Sequence, residues 1–276
     1  MTADPPREQR LVFGEVAETY DRARPGYPSQ LVDDVLTFAD LGAHDRVLEV
    51  GCGTGKATVQ FAPHGLDMLC VELNENMAAV ARRNCERFPR VTIVTTSFED
   101  WPVEPGEFRL LMSAQAWHWV SSEVRVSKAH RALAPDGALA VFWNTVRWPD
   151  EQMRAAVDDL YERVAPGLIA SRPGFPGTRS ARNVSVQELE ESSLFAPVTL
   201  REYPWSETYS TARYVELLTT HSDHRMLAPD VFDRLAEGIA ALVDDAGGAL
   251  HIEYVARLHM ARPVSGAGPG REVGRR

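Results

Sequence analysis

Residues 46–56 read Arg46-Val47-Leu48-Glu49-Val50-Gly51-Cys52-Gly53-Thr54-Gly55-Lys56, with three glycines at alternate positions after an apolar run. Glycine lets the chain turn sharply and lets a ligand approach the backbone, because it has no Cβ. A helix opening after such a turn aims free N–H groups at whatever sits there. A second apolar run, Met68-Leu69-Cys70-Val71, ends in Glu72. A carboxylate about 20 residues past a glycine turn is placed to accept two hydroxyls of a ribose. The chemistry these residues could do is therefore the holding of a nucleoside-type ligand.

Spacing narrows the ligand. A dinucleotide fingerprint needs Gly-x-Gly-x-x-Gly/Ala, and Lys56 stands at its last position. A phosphate-cradling loop needs Gly-x-x-x-x-Gly-Lys-Ser/Thr, but Val50 replaces its first glycine and Ala57 its hydroxyl residue. What remains is Glu-x-Gly-x-Gly-x-Gly. Glu49, unhelpful beside a phosphate, suits a ligand carrying an ammonium and a sulfonium. Together with Glu72, this resembles the first motif of class I S-adenosylmethionine-dependent methyltransferases. The resemblance implies S-adenosyl-L-methionine as cofactor, with Glu49, Gly51, Gly53, Gly55, Glu72 and Leu73 around it.

Three further segments extend the likeness, which runs over about residues 15–145. The third predicted strand ends in Thr96-Ser97-Phe98-Glu99-Asp100, where related proteins hold the adenine. Ser97 falls at the side-chain position that often carries Asp, and Phe98 at the backbone position. Ser97 can accept from an amine less strongly than a carboxylate, and Glu99 or Asp100 could replace it. Past the fourth strand comes Gln115-Ala116-Trp117-His118-Trp119. Its indoles can attract a cation, and His118 can take a proton near neutral pH or simply pack between them. The run resembles that of small-molecule methyltransferases of the trans-aconitate methyltransferase-like group, implying Gln115 at the cofactor and Trp117 and Trp119 at the substrate. The N-terminal Tyr20-Asp21-Arg22-Ala23-Arg24-Pro25-Gly26-Tyr27 resembles the segment that covers the cofactor in related enzymes. It implies Arg24 on the methionine carboxylate, a planar bidentate match, Tyr20 packed over the methionine end, and Tyr27 toward the substrate. His221 and His224, in Thr220-His221-Ser222-Asp223-His224-Arg225, are alternative bases facing the substrate or cationic residues at a helix end.

The elements that must position these residues follow from periodicity. Short helices are expected over 11–20 and 29–39. Strands at 46–50, 67–72, 91–95, 108–113 and 138–143 alternate with helices at 55–63, 75–86 and 122–133, which predicts a parallel sheet covered on both faces. A helix follows at 151–164, then a loop holding Arg172, Arg179 and Arg182. That loop reads as solvated, although its charge hints at an anionic substrate. Strands at 198–203 and 249–260, with helices near 211–220 and 230–245, close the sheet. The expected fold is α/β, a Rossmann-like seven-stranded, mostly parallel sheet with helices on both faces and a lid insertion after the fifth strand. Its parts are an N-terminal cover (1–44), the core (45–144), the lid (145–197), the rest of the core (198–261) and a disordered tail (262–276).

Composition bounds the function. The 276 residues are 44% hydrophobic and 25% charged, ordinary for a globular protein. A net charge of −10 argues against a nucleic-acid backbone as partner. No Asn/Asp-Pro-Pro-Tyr/Phe follows the fourth strand, and no Pro-Cys pair occurs, so methylation of nucleic-acid bases lacks its usual groups. Cys52, Cys70 and Cys85 read as packing residues, and no metal-spaced Cys/His cluster is present. Without an apolar leader or a long apolar run, the expectation is a cytoplasmic protein with no membrane partner. Transfer of a methyl group to a small molecule is the leading expectation, O-methylation of a carboxylate or hydroxyl foremost. An NAD-dependent oxidoreductase and a non-catalytic cofactor-binding protein are the alternatives.

Overall fold

A computed structural model of the chain describes residues 12–169 and 181–264. Strand β1 (Arg46–Val50) is buried from its second residue on, as an apolar run between two helical layers must be. β2 (Asp67–Glu72), β3 (Val91–Thr95), β4 (Phe108–Ala114) and β5 (Leu133–Arg147) lie parallel to it. β7 (Ala249–Ala261) runs antiparallel between β5 and β6 (Thr199–Ser210), giving the seven-stranded order β3-β2-β1-β4-β5-β7-β6. The order reverses between β1 and β4, and a crevice opens beyond their carboxyl ends at such a point.

The N-terminal part forms a 3₁₀ turn (Val12–Val16), then α1 (Ala17–Ala23) and α2 (Ser29–Phe38). After the glycine turn the helix is shorter than expected. α3 spans only Thr58–Phe61 and tightens into a 3₁₀ turn, Ala62–His64, where Pro63 cannot donate to a continuing helix. α4 (Glu75–Cys85) begins at Asn74, whose side chain accepts the N–H groups of Asn76 and Met77 at 3.0 and 3.3 Å. α5 (Arg125–Ala132) precedes β5.

Apolar side chains pack on both faces of the sheet. Leu31, Val35, Phe61 and Met68 share one cluster, and Leu48, Trp117, Val141 and Trp143 the other. The insertion contributes α6 (Glu151–Val164), α7 (Pro166–Ile169) and α8 (Ala181–Glu191). Val157, Leu160 and Tyr161 of α6 pack with residues of α9 (Thr211–Thr219) and α11 (Pro229–Asp245) in a third cluster. Between these helices lies the short α10 (Ser222–Arg225).

Three expectations change. β5 and β6 extend past 143 and 203 because β7 pairs with them as far as Arg147↔Glu253 and Ser210↔Ala249. α8 was not foreseen, its apolar face being short. The first residues assigned to the tail pair back on the core, with a bridge between Phe195 and Pro263. Arg172, Arg179, residues 1–11 and the tail from 265 lie outside the described residues.

Candidate functional site

The glycine turn folds over the ends of β1 and β2. The Gly51 N–H donates to Val71 O at 2.9 Å, and Gly51 and Gly53 take φ of +70° and +60°. A Cβ on Gly51 would meet Ala116 Cβ at 2.5 Å, so glycine is required there by shape as well as by φ. Glu72 anchors the turn. Its Oε2 accepts the Gly53 N–H and its Oε1 the Asn74 N–H, each at 2.9 Å. A carboxylate offers about four lone-pair directions. Two of them, taken by backbone N–H groups, fix its orientation.

A cleft of about 710 Å³, continuous with solvent, lies against these groups. Tyr20, Gly51, Gly53, Glu72 and Leu73 line it, as do Ser97, Phe98, Gln115 and Trp119. Phe13 and Met77, which were not expected among the site residues, complete one wall. Phe13 packs edge-on against Tyr20 and Trp119, with ring centroids 6.0 and 5.8 Å apart, and forms an aromatic roof. Gln115 holds a φ of +59°, uncommon outside glycine, and its Oε1 is buried without a hydrogen-bond partner among the described residues. Ser97 Oγ donates to Asp100 Oδ2 at 2.7 Å and accepts the Asp100 N–H at 3.0 Å. Asp100 therefore orients the hydroxyl, and Ser97 keeps one acceptor direction for an amine.

Other expected residues stand outside that lining. Gly55 serves packing: a Cβ there would lie 3.4 Å from Cys85 Sγ and 3.5 Å from Ala81 Cα. Trp117 is fully buried among core side chains, so it supports the segment from beneath and does not face a substrate. Glu49 is fully buried behind the turn. Its Oε2 accepts the Thr58 hydroxyl at 2.6 Å, while Oε1 has no partner among the described residues. Burial raises the Glu49 pKa to about 7 against the bond from Thr58, so a cationic neighbour would draw it into the charged form.

His118 lies beneath Trp119 and accepts the Trp143 indole N–H at Nδ1, 3.2 Å away. Burial, then the charges of Arg182 and Arg125, push its pKa well below the usual histidine value. The neutral ring thus carries its proton on Nε2 and is a donor there. Arg24 lies over the Tyr20 ring at 5.1 Å, and its Nε and Nη2 donate to Thr220 Oγ1 and Thr220 O at 2.8 and 2.9 Å. Its Nη1 makes no hydrogen bond among the described residues.

Arg182 was read as part of a solvated loop. Instead it opens α8 with a half-buried side chain whose Nη1 donates to Asn144 O at 3.3 Å. Burial, then the charge of Arg24, lowers its pKa to about 10. Tyr27 shares that environment: burial, then Tyr20 and Glu49, raises its pKa well above 10, against the charges of Arg182 and Arg24. Asn144 ties the surroundings together. Its Nδ2 donates to Gly26 O at 2.9 Å, and its Oδ1 accepts the Trp205 indole N–H at 3.1 Å. Its place at the end of β5 was the only signal in the sequence that could have marked it.

Residues 47–137, which hold the glycine turn, Glu72 and the Gln115–Trp119 run, match the family profile described as a methyltransferase domain. These residues carry the likeness to a methyltransferase domain. An uncharacterized methyltransferase of Mycobacterium tuberculosis is 34% identical over 139 residues, 50% of this chain and 54% of the relative. A malonyl-[acyl-carrier protein] O-methyltransferase of Geobacter sulfurreducens is 30% identical over 139 residues, 49% of this chain and 52% of the relative. The chain thus spans about half the length of these curated relatives. Among solved structures, one described as a type II methyltransferase from Anaeromyxobacter dehalogenans superposes with a TM-score of 0.61 at 21% identity. That match covers 87% of this chain and 97% of the other, and at such identity it speaks for the fold alone. No described helix is long and apolar enough to cross a membrane.

Proposed function

We propose that this protein transfers the methyl group of S-adenosylmethionine to an oxygen of a small molecule, a carboxylate or a hydroxyl. The observation that carries the proposal is Glu72, pinned by the N–H groups of Gly53 and Asn74 at the mouth of an aromatic-roofed cleft. In this reading Glu72 takes the ribose hydroxyls, with Gly51 and Gly53 letting the ligand approach. Ser97 and the backbone of Phe98 take the adenine, and Leu73 packs beside it. Arg24, braced on Thr220, turns Nη1 to the methionine carboxylate. Tyr20 covers the methionine end, the free Gln115 Oε1 accepts from its ammonium, and Glu49 supplies negative charge behind the turn. When bound, S-adenosylmethionine supplies an electrophilic methyl group whose transfer leaves a neutral thioether.

The chain's own contribution is position and exclusion of water. Phe13, Tyr20 and Trp119 close the cleft, and an aromatic face stabilises a nearby cation. Arg182 and Tyr27 stand on the acceptor side, with Trp119 between acceptor and cofactor. His118 offers Nε2–H to an acceptor oxygen, since its Nδ1 is taken by Trp143. An oxygen acceptor is favoured by the half-buried guanidinium of Arg182, which stabilises an oxyanion and repels an ammonium. The Geobacter relative, named an O-methyltransferase of malonyl-[acyl-carrier protein], supports the same choice of an oxygen. A small-molecule acceptor fits the acidic charge of the chain, which opposes nucleic acid.

Calorimetric titration with S-adenosylmethionine, S-adenosylhomocysteine and NAD tests the site. Binding of the first two at micromolar concentration, and not of NAD, is expected. Transfer of labelled methyl to small acids and phenols then tests the reaction. Binding of NAD alone would overturn the proposal.

A further inference from the structure

His221 and His224, expected to face the substrate or to end a helix, are not among the residues lining the cleft. They stand at the start and within the short helix α10. Three residues apart, they share a face, and their rings meet edge-on with 5.1 Å between centroids. Asp223 folds back toward them. Its Oδ1 accepts the His224 backbone N–H at 2.8 Å and lies 2.7 Å from His224 Nδ1. One nitrogen from each imidazole and one carboxylate oxygen thereby fall within 4.8 Å of one another, the only such group of histidine, cysteine and acidic side chains among the described residues. His-x-Asp-His is not a standard ligand spacing, and the cluster exists only because Asp223 turns back.

The surroundings are those of a held ligand set. His224 Nε2 lies 2.6 Å from the Tyr161 hydroxyl of α6. A metal-ligating imidazole has its second nitrogen fixed in this way, and a phenol oxygen can donate or accept. Without a metal, Nδ1–H goes to Asp223 and Nε2 accepts from Tyr161. With one, Nδ1 turns its lone pair to the ion and the ring's single proton stands on Nε2, donated to Tyr161 Oη. The same two neighbours serve both states, and the ring stays neutral throughout. His224 is buried while His221 and Asp223 are half-buried, which leaves the ion a side of entry. Arg24, which donates to Thr220 next to His221, and Arg182 both act on that imidazole by charge. Two guanidiniums oppose any cation held by charge alone, and a hard ion such as Mg²⁺ needs more oxygen ligands than Asp223 supplies. Imidazole and carboxylate together suit a d-block ion, which they hold by coordinate bonds.

We propose that His221, Asp223 and His224 bind one divalent d-block ion such as Zn²⁺, with water completing its coordination. Bound there, the ion pins α10 to Tyr161 of α6. It also fixes the chain at Thr220, whose hydroxyl and carbonyl hold Arg24 over Tyr20 in the cleft wall. The site does not depend on the methyl-transfer reading above.

Untagged protein, stripped with a chelator and dialysed, tests it by calorimetric titration with Zn²⁺ and, separately, Mg²⁺. One Zn²⁺ per chain at micromolar Kd is expected, with no Mg²⁺ bound in that range. Co²⁺ in place of Zn²⁺ should show visible d–d absorption without the near-ultraviolet charge-transfer bands of a thiolate ligand, and Zn²⁺ should erase it. His221→Ala and Asp223→Asn should each weaken Zn²⁺ at least about tenfold. Asp223→Asn keeps the side chain's size and an oxygen for the His224 N–H, so it decides the matter if His221→Ala fails to fold by circular dichroism. No Zn²⁺ binding by the parent protein would overturn the proposal, as would an unchanged Kd in Asp223→Asn. Mg²⁺ bound as tightly as Zn²⁺ would mean an ion held by charge alone, and thiolate bands would place it on cysteine. Either result would overturn the site as well.

Discussion

Glu49→Gln isolates the electrostatic cost built into the glycine turn. Glu49 is fully buried, one carboxyl oxygen has no partner among the described residues, and its pKa rises from 4.5 to about 7. A carboxyl raised on folding favours the native state below its unfolded pKa and opposes it as pH climbs, because the unfolded chain releases the proton first. The penalty therefore grows from pH 4.5 to 7 and is complete above that. For these two pKa values it increases by about 2.5 kcal/mol between pH 5 and pH 8. The substituted amide does not ionise, so this loss should vanish in the variant. The cost of fitting an amide is the same at both pH values and cancels. Urea unfolding of both proteins at pH 5 and pH 8 gives the double difference, with every other titrating group common to the pair. A value near 2.5 kcal/mol in favour of Glu49→Gln at pH 8 is expected, on the order of the linkage figure above. Parallel pH profiles, within about 0.5 kcal/mol of each other, would refute the reasoning, since Glu49 would then ionise as readily folded as unfolded.

Glu72→Ala removes the acceptor of two backbone N–H groups and should weaken S-adenosylmethionine at least about tenfold by calorimetry, equivalent to about 1.4 kcal/mol; an unchanged Kd would remove Glu72 from the site. Gly51→Ala forces a Cβ to 2.5 Å from Ala116 at φ +70°. It should destabilise the fold by about 1–3 kcal/mol or more, seen as a lower thermal midpoint, whereas an unchanged midpoint would mean that the turn can relax. Asn144→Ala strips partners from Gly26 O and the Trp205 indole. Its expected cost is about 1–3 kcal/mol, with faster release of S-adenosylhomocysteine in stopped flow if the N-terminal cover loosens.

The parallel half of the sheet was legible because it repeats. β1, β2 and β4 are each an apolar run bounded by a turn and followed by a helical period, and nothing tertiary needs to be known to see it. The glycine turn with Glu72 was legible for the same reason: a local pattern at fixed separation has one simple geometry. The limits of β5 and β6 were not legible, because their last residues are strand only by pairing with β7, which lies far along the chain. Arg182 was misread for a similar cause. A charged residue in a Pro/Gly-rich stretch looks solvated until α8 folds it onto Asn144. Trp117 erred in the other direction: the Trp-His-Trp spacing placed three rings in one segment but could not say that the first turns into the core and the third into the cleft.

Asn144 explains why cover and insertion act on one site although 118 residues separate it from Gly26 and 38 from Arg182. Its amide meets the N-terminal cover and β6, and its carbonyl meets the insertion, so three late-placed segments converge at the end of one core strand. Tyr27 and Arg182 come into each other's field only through that convergence. The ribose end of the cofactor needs no such assembly, since Gly53 and Glu72 sit 19 residues apart on one β-α-β unit. The division has a consequence for specificity. On the function proposed above, changes in 145–197 are expected to alter the acceptor while leaving the glycine turn and Glu72 untouched. Changes in β1 or β2 remove both functions at once, because the acceptor side is built on a strand order that those two strands establish.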